Sequence, residues 1–564
     1  MKIMQLSLPV NDILDELEQA LQSSPAAILQ APPGSGKTTR IPLAFLNASW
    51  LSNCRILMLE PRRLAATNAA RYMASLRQEV VGQTVGYSIR YERKISAATR
   101  IEVMTEGLLT RRIQADPELN GVGLVIFDEF HERSQHADLA LALCRDIQQG
   151  LREDLRLLIM SATLESGPLA QLLNDCPVIT ANGRSFPVSI RHVDQDPAGS
   201  LVESTARGIR LALAETTGDI LAFLPGAFEI ERCRKLLHDL TGQIRLHPLY
   251  GNLPFTEQEA AIRPGTKRKV VLATNIAETS LTIEGVETVV DSGWERRPQF
   301  DPASGMPTLR TVRISGASAE QRSGRAGRLG PGSCYRLWSA GTHGALLPFS
   351  PPEILHADLA PLAFELASWG IEDPGQLQWL DAPPPGHLAG ARQLLQQLGA
   401  VDRHGRLTSL GREMIHYPSH PRLARLLVEA VRIGRPGLGS DLVAILSERD
   451  LFHQSSGQGR VASRSDLLDR LQLLHQDRTN RTAMVRRAAG FWRRRLNVGI
   501  EPPVEIDQLG RLLAVAYPDR LARQRQPGSD RYLLRDGRGA KLSPRTAVYN
   551  AEWLIAVDVT RKPG

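Results

Sequence analysis

The sequence predicts an α/β fold, with two tandem parallel-sheet domains followed by a largely helical C-terminal third. Three observations predict it. Short apolar runs at 26–29, 55–59, 101–104, 123–127 and 157–160 alternate with longer stretches, as buried parallel strands alternate with helices. A second series of such runs follows a polar hinge near 183–200 and includes 218–226, 247–251 and 270–283. From residue 350 onward the composition turns rich in Leu and Ala. Charged or glycine-containing segments close several of the runs, where open α/β sheets place ligands.

Composition sets the outer limits. A chain of 564 residues suits about four domains, and 42% hydrophobic with 23% charged residues describes an ordinary globular protein. Lys and Arg number 68 against 60 Asp and Glu, a net charge of +8 that suits a polyanion without requiring one. The five cysteines, Cys54, Cys144, Cys176, Cys233 and Cys334, show no paired spacing, so neither disulfides nor zinc are expected, and a cytoplasmic setting is. Residues 1–10 lack the apolar core of a signal peptide, and no run of 18 apolar residues marks a membrane span.

In chain order, residues 12–21 carry helical spacing. The first apolar run then enters A-P-P-G-S-G-K-T at 31–38. Such a loop points backbone N–H groups inward, and with the helix start at Gly36, Lys37, Thr38 and Thr39 it cradles phosphates through Gly34 and Ser35 as well. Lys37 would reach the β- and γ-phosphates, and Thr38 would ligate Mg²⁺. The position usually filled by the first glycine is Ala31. The second run ends in E-P-R-R-L-A-A, placing Arg62 and Arg63 at a strand's carboxyl end; alone, such a pair reads as solvated. The third run leads to T-E-G-L-L-T-R at 105–111. The fourth ends in Asp128-Glu129-Phe130-His131, and two carboxylates there supply a metal ligand (Asp128) and a proton acceptor for water (Glu129). An acidic helix cap accounts for one carboxylate but poorly for the pair. The fifth run enters Ser161-Ala162-Thr163.

These motifs in this order resemble superfamily 2 helicases of the DEAH/RHA group, most nearly its bacterial RNA helicases. The second domain extends the resemblance with T-N-I-A-E-T-S at 274–280 and Q-R-S-G-R-A-G-R at 321–328. The latter is a compact cationic surface able to stabilise a transferring phosphoryl group across a cleft, or, without the P-loop, an RNA patch. The resemblance assigns nucleotide contacts to Gln321, Arg325 and Arg328, with Arg322 less secure, and RNA contacts to Arg62, Arg63, Thr105, Arg111, Thr274, Asn275 and Thr279. Hydroxyl and amide donors of this kind hold a sugar-phosphate backbone without reading sequence. The strand-like runs 294–300 and 306–314 flank a Pro/Gly turn, and the resemblance makes this hairpin a strand separator rather than a surface ornament.

The resemblance implies RecA-like domains at 1–190 and 191–349, a winged helix at 350–418, a helical bundle at 419–515, and the start of an OB-like module at 516–564. Such a barrel needs five strands; the chain ends before they can be counted, so a longer parent chain is expected. The stretch 453–465 reads as a mobile loop. The basic stretch Arg486, Arg487, Arg493, Arg494 and Arg495 is either a solvated face or an RNA lining. The implied activity is ATP- and Mg²⁺-dependent translocation of a monomer on single-stranded RNA, 3′ to 5′, with unwinding of tailed duplexes and no membrane partner. A DNA translocase and a non-catalytic nucleotide-gated clamp are the rivals. For the base, the family's stacking phenylalanine aligns with Ile262 and its arginine falls near Arg71 and Tyr72, while Gln19 and Gln22 lie in no recognisable base-reading segment.

Overall fold

The computed structural model describes residues 8–559 except 33, 164, 183–185, 252, 279–282, 302–304, 329, 449–464, 502–505, 545, 547 and 549. The chain forms two compact units. The first comprises Met1–Gln299, Leu309–Ala357 and Leu377–Ala382; the second comprises Phe300–Thr308, Asp358–Gln376 and Pro383–Gly564.

The first unit holds two parallel sheets. Strands β1 (Ala26–Gln30), β2 (Arg55–Glu60), β3 (Val85–Ile89), β4 (Glu92–Lys94), β5 (Ile101–Thr105), β6 (Val122–Phe127), β7 (Arg156–Ser161) and β8 (Val178–Thr180) run in the order β4-β3-β5-β2-β6-β7-β1-β8. Only β4, against β3, is antiparallel. Because helices cover both faces, consecutive residues such as Ile56 to Leu59 are all buried, which is why these strands read as unbroken apolar runs. Ile56, Met58, Val103, Leu124, Ile126, Leu158 and Met160 form one face's core.

The second sheet is built from β9 (Val188–His192), β10 (Asp219–Phe223), β11 (Arg245–Leu249), β12 (Lys269–Ala273), β13 (Val286–Asp291) and β16 (Gly332–Arg336), in the order β11-β12-β10-β13-β16-β9. Its neighbours are all parallel. Between β13 and β16 the chain makes the expected hairpin, β14 (Trp294–Asp301) and β15 (Met306–Arg313). Both sheets are RecA-like, with chemistry-bearing loops at the carboxyl ends of their strands.

In the second unit, among the described residues, eight α-helices from Ala360–Trp369 to Ile506–Ala516 precede a four-stranded antiparallel sheet, β17 (Leu521–Gln524), β18 (Arg531–Leu534), β19 (Gly539–Lys541) and β20 (Trp553–Ile555), ordered β19-β18-β17-β20. Four strands are present among the described residues, short of the five of an OB-like barrel. The tip of the hairpin belongs to this unit: Met306 is buried with Ala522, Tyr532 and Leu534, and Arg520 donates to the Gly305 carbonyl at 3.2 Å. Residues 453–464 of the expected loop lie outside the described residues.

The basic helix Asn480–Leu496 divides its arginines, with Arg487 and Arg494 exposed and the other three held by protein partners. Arg486 donates to the carbonyls of Asp477, Arg478 and Thr479. Arg493 pairs with buried Asp441, Arg495 donates to the His416 carbonyl at 2.7 Å, and Trp492 is fully buried. Three of the five arginines thus tie the bundle together. Among the described residues no helix is long and apolar enough to cross a membrane.

Candidate functional site

The phosphate loop follows β1 and turns through two left-handed glycines, Gly34 (φ 84°) and Gly36 (φ 93°). The positive φ at Gly36 is what calls for glycine there; a Cβ would meet the tip of the Leu8 side chain, Cδ1 at 2.8 Å, which can shift. Helix Lys37–Ala44 starts at once, directing its free N–H groups at the loop. Ala31, the departure from the usual pattern, is buried and bonds through its N–H to the Ser161 carbonyl of β7 at 2.9 Å.

Since β7 alone separates β1 from β6, the loop after β6 meets the phosphate loop over the sheet edge. Lys37 Nζ lies 3.2 Å from Glu129 Oε2, and Thr38 Oγ1 donates to Asp128 Oδ2 at 2.5 Å. Glu129 has φ 51° and Arg133 has φ 46°, bracketing a single 3₁₀ turn, Phe130–Glu132. Two non-glycine residues in the left-handed region within five positions is strain of the kind found at functional loops.

Charge is concentrated here out of water. Burial alone would lower the Lys37 pKa, but Glu129 and Asp128 outweigh it and raise it. Burial and then the Glu129 charge push Asp128 up to about 6. Burial also opposes ionisation of Glu129, yet the Lys37 ammonium, by its charge and its hydrogen bond, holds it down at about 2. Burial lowers the His131 pKa against the opposing pull of Glu129, and its Nδ1 accepts from the Ala162 N–H at 3.4 Å. Glu60, buried at the end of β2, is pushed well above the carboxylate range by burial and by Asp128 and Glu129. Thr38 and Asp128 supply adjacent oxygen donors, the chemistry Mg²⁺ selects, so the residues fit that ion.

The second sheet contributes from the facing side. Gln321 Nε2 donates to Thr163 Oγ1 at 2.9 Å. Arg325 is buried, donates through Nε to the Glu278 carbonyl at 2.8 Å, and is among the cations lowering Glu129. Burial, followed by Arg328, pushes Arg325 well down, and burial takes Arg328 to about 10. Arg322 is different. It is fully enclosed, bonded to Glu278 at 2.8 Å and Asp291 at 3.0 Å, and stacked 4.8 Å from the Phe223 ring centroid. It braces the domain.

Of the expected RNA contacts, Thr105 and half-buried Arg111 sit at and just beyond the end of β5, Thr274 and exposed Asn275 just beyond β12. Thr279 lies outside the described residues. Arg63 is exposed and lies over the Tyr91 ring at 5.6 Å. Arg62 instead has protein partners: its Nη1 donates to the carbonyls of Asn275 (3.1 Å) and Ile276 (3.0 Å), and its Nη2 lies 3.1 Å from Glu132 Oε1. Sequence reasoning missed Glu60, His131, Thr163 and Glu278. Glu60, immediately before Pro61-Arg62-Arg63 at a strand end, carried a legible signal.

Three family models match the chain: DEAD/DEAH box helicase at residues 14–172, helicase conserved C-terminal domain at 204–330, and the winged-helix helicase associated domain (HA2) at 391–418. The chain is 45% identical over 555 residues to the ATP-dependent RNA helicase HrpB of Escherichia coli (strain K12), covering 98% of this chain and 66% of that protein. It is 36% identical over 479 residues to the pre-mRNA-splicing factor ATP-dependent RNA helicase prp22 of Schizosaccharomyces pombe, covering 82% and 41%. With the probable ATP-dependent RNA helicase DHR2 of Saccharomyces cerevisiae the identity is 34% over 471 residues, covering 81% and 64%. The chain therefore spans about two thirds or less of these relatives. A crystal structure of the E. coli DEAH/RHA helicase HrpB superposes with a TM-score of 0.86 at 45% identity, covering 97% of this chain and 68% of that one.

Proposed function

We propose, because the chain belongs to the DEAH/RHA helicases, that it hydrolyses ATP and couples each turnover to a step along single-stranded RNA, moving 3′ to 5′ and opening duplexes. The observation that carries the hydrolytic reading is one cluster. Lys37, Thr38, Asp128 and Glu129 from the first sheet face Gln321 and Arg325 from the second.

The chemistry follows from the residues. Incoming phosphates, richer in charge than one carboxylate, compete with Glu129 for the Lys37 ammonium. Losing that cation lets the Glu129 pKa rise from about 2 toward the range of a working base, poised to take a proton from water. When bound through Thr38 and Asp128, Mg²⁺ supplies charge neutralisation on the phosphate oxygens. Buried Arg325 and half-buried Arg328, with little shielding by bulk water, stabilise the charge that develops on the γ-phosphoryl. Gln321 and Thr163 draw the two domains together around it. RNA would lie on the strand ends and adjoining helix starts bearing Arg63, Thr105, Arg111, Thr274 and Asn275, with Thr279 from the same motif. Domain boundaries at 190, 349, 418 and 515 and action as a cytoplasmic monomer complete the reading.

ATPase assays with and without single-stranded RNA test it. RNA is expected to accelerate wild-type turnover, and DNA of the same sequence to do so less. Glu129→Gln is expected to retain ATP binding while losing about 10²–10⁴ in kcat, the usual worth of a general base. Asp128→Ala is expected to weaken Mg²⁺-dependent binding as well. Unchanged turnover in Glu129→Gln would remove that residue from the mechanism.

A further inference from the structure

The guanidinium of Arg62 occupies an unusual place. It stands at the carboxyl end of β2, and one of its nitrogens serves two backbone carbonyls of the opposite domain, at 3.1 and 3.0 Å. Those carbonyls belong to the short 3₁₀ turn Asn275–Ala277 that follows β12, where the Asn275 carbonyl also accepts the Glu278 N–H at 3.1 Å. Another nitrogen reaches Glu132, 3.1 Å away, at the close of the strained turn that begins with Glu129. The side chain is about three-quarters enclosed.

We propose that Arg62 is a positioning residue that latches the loop of the second domain bearing Thr274 and Asn275 to the catalytic loop of the first, so that RNA held by the former changes the rate at which the latter turns over ATP. The proposal rests on the function proposed above. A planar fork with fixed donor directions can serve a carboxylate and two carbonyls at once, whereas an ammonium on a flexible stem cannot hold that geometry. Glu132 is three residues from Glu129 along a turn with no slack, so a pull on one end is felt at the other. The expectation that Arg62 grips an RNA phosphate makes the opposite prediction about affinity.

The discriminating experiment measures two quantities on the full chain, in wild type, Arg62→Ala, Arg62→Lys and Glu132→Gln. One is the affinity for a fluorescent single-stranded RNA as a function of salt, and the other is kcat for ATP at saturating RNA. A latch predicts RNA affinity and salt slope close to wild type in all three variants, with kcat lowered about tenfold in Arg62→Ala by losing hydrogen bonds to a charged group. Arg62→Lys would recover little, and Arg62→Ala combined with Glu132→Gln would be no worse than Arg62→Ala alone. Weakened RNA binding with a salt slope smaller by about one charge would make Arg62 a phosphate contact and overturn the latch. Unchanged kcat, or full rescue by lysine, would overturn it too. Absence of RNA stimulation in the wild type would instead defeat the proposed function. In that event a dye pair, one on each sheet domain, decides the latch: ATP-driven closure lost in Arg62→Ala supports it, and closure unchanged overturns it.

Discussion

Glu106 shows how one buried side chain can set a pH dependence outside the catalytic cluster. It lies just past β5, receives a hydrogen bond from the Ser134 hydroxyl, and faces Glu132, Glu353 and Asp138. Burial pushes its carboxyl up to about 8 from an ordinary 4.5; the Ser134 bond opposes this, while the neighbouring carboxylates reinforce it. Between those values the folded chain holds a proton that the unfolded chain has released. Stability is therefore full below about 4.5 and is lost as pH rises through about 8. Gln at this position keeps the acceptor for Ser134 but cannot ionise. Glu106→Gln is expected to leave Tm unchanged at pH 5 and to raise it at pH 8–9, by about 2–4 °C per kcal/mol recovered in a domain of this size. Melting curves across that range check it, and an equal shift at both ends would contradict the assignment.

At the scale of the element, the hairpin β14–β15 is fastened at its tip. Met306 fills the core of the C-terminal sheet, so Met306→Ala is expected to cost about 2–5 kcal/mol of that sheet's stability. Deleting 300–307 is expected to remove most unwinding while leaving most RNA-stimulated ATP hydrolysis, because the nucleotide-facing residues all lie elsewhere. Parallel strand-displacement and ATPase assays on both variants measure this; joint collapse of the two activities in folded protein would make the hairpin structural. The hairpin was legible because its strands flank a Pro/Gly turn, as the central strands of the first sheet were legible because burial on both faces leaves them wholly apolar. Strand β3 was not, since Gly86 and Ser88 interrupt its run. In the fold Gly86 is required, because a Cβ there would lie 2.4 Å from the Lys94 carbonyl oxygen. Asp128 and Glu129 could be read because they directly follow a strand end, and Lys37 because it opens the helix after a glycine-bearing loop. The partners of Arg62 could not, being 213 and 214 residues distant and joined only by the meeting of two domains.

For the molecule as a whole, the two sheet domains meet through Gln321 and Thr163 and through Arg62, and the expected base contacts are thin. Ile262, where an aromatic is expected, closes helix Phe255–Ile262 and packs half-buried against the core around Leu221 and Phe223. Tyr72 is 55% exposed. Lacking an aromatic face at Ile262, worth about 1–3 kcal/mol per stacked base, the site is expected to draw its affinity from phosphates. Hydrolysis of GTP, CTP and UTP is therefore expected within about an order of magnitude of ATP, because a site without donors and acceptors for the base discriminates poorly. Steady-state kinetics with the four nucleotides measure it, and a preference for ATP of about a hundredfold, a gap on the scale that separates substrates by one built contact, would reveal a base-reading group. The brace formed by Arg322 has a consequence for genetics. An activity screen would return the same silence at Arg322 as at Arg325 and Arg328. On the function proposed above, the first would be silent because the second domain has lost a beam, the others because a working part is gone. Phenotypes along this run become informative about mechanism only when the yield of folded protein is scored beside them.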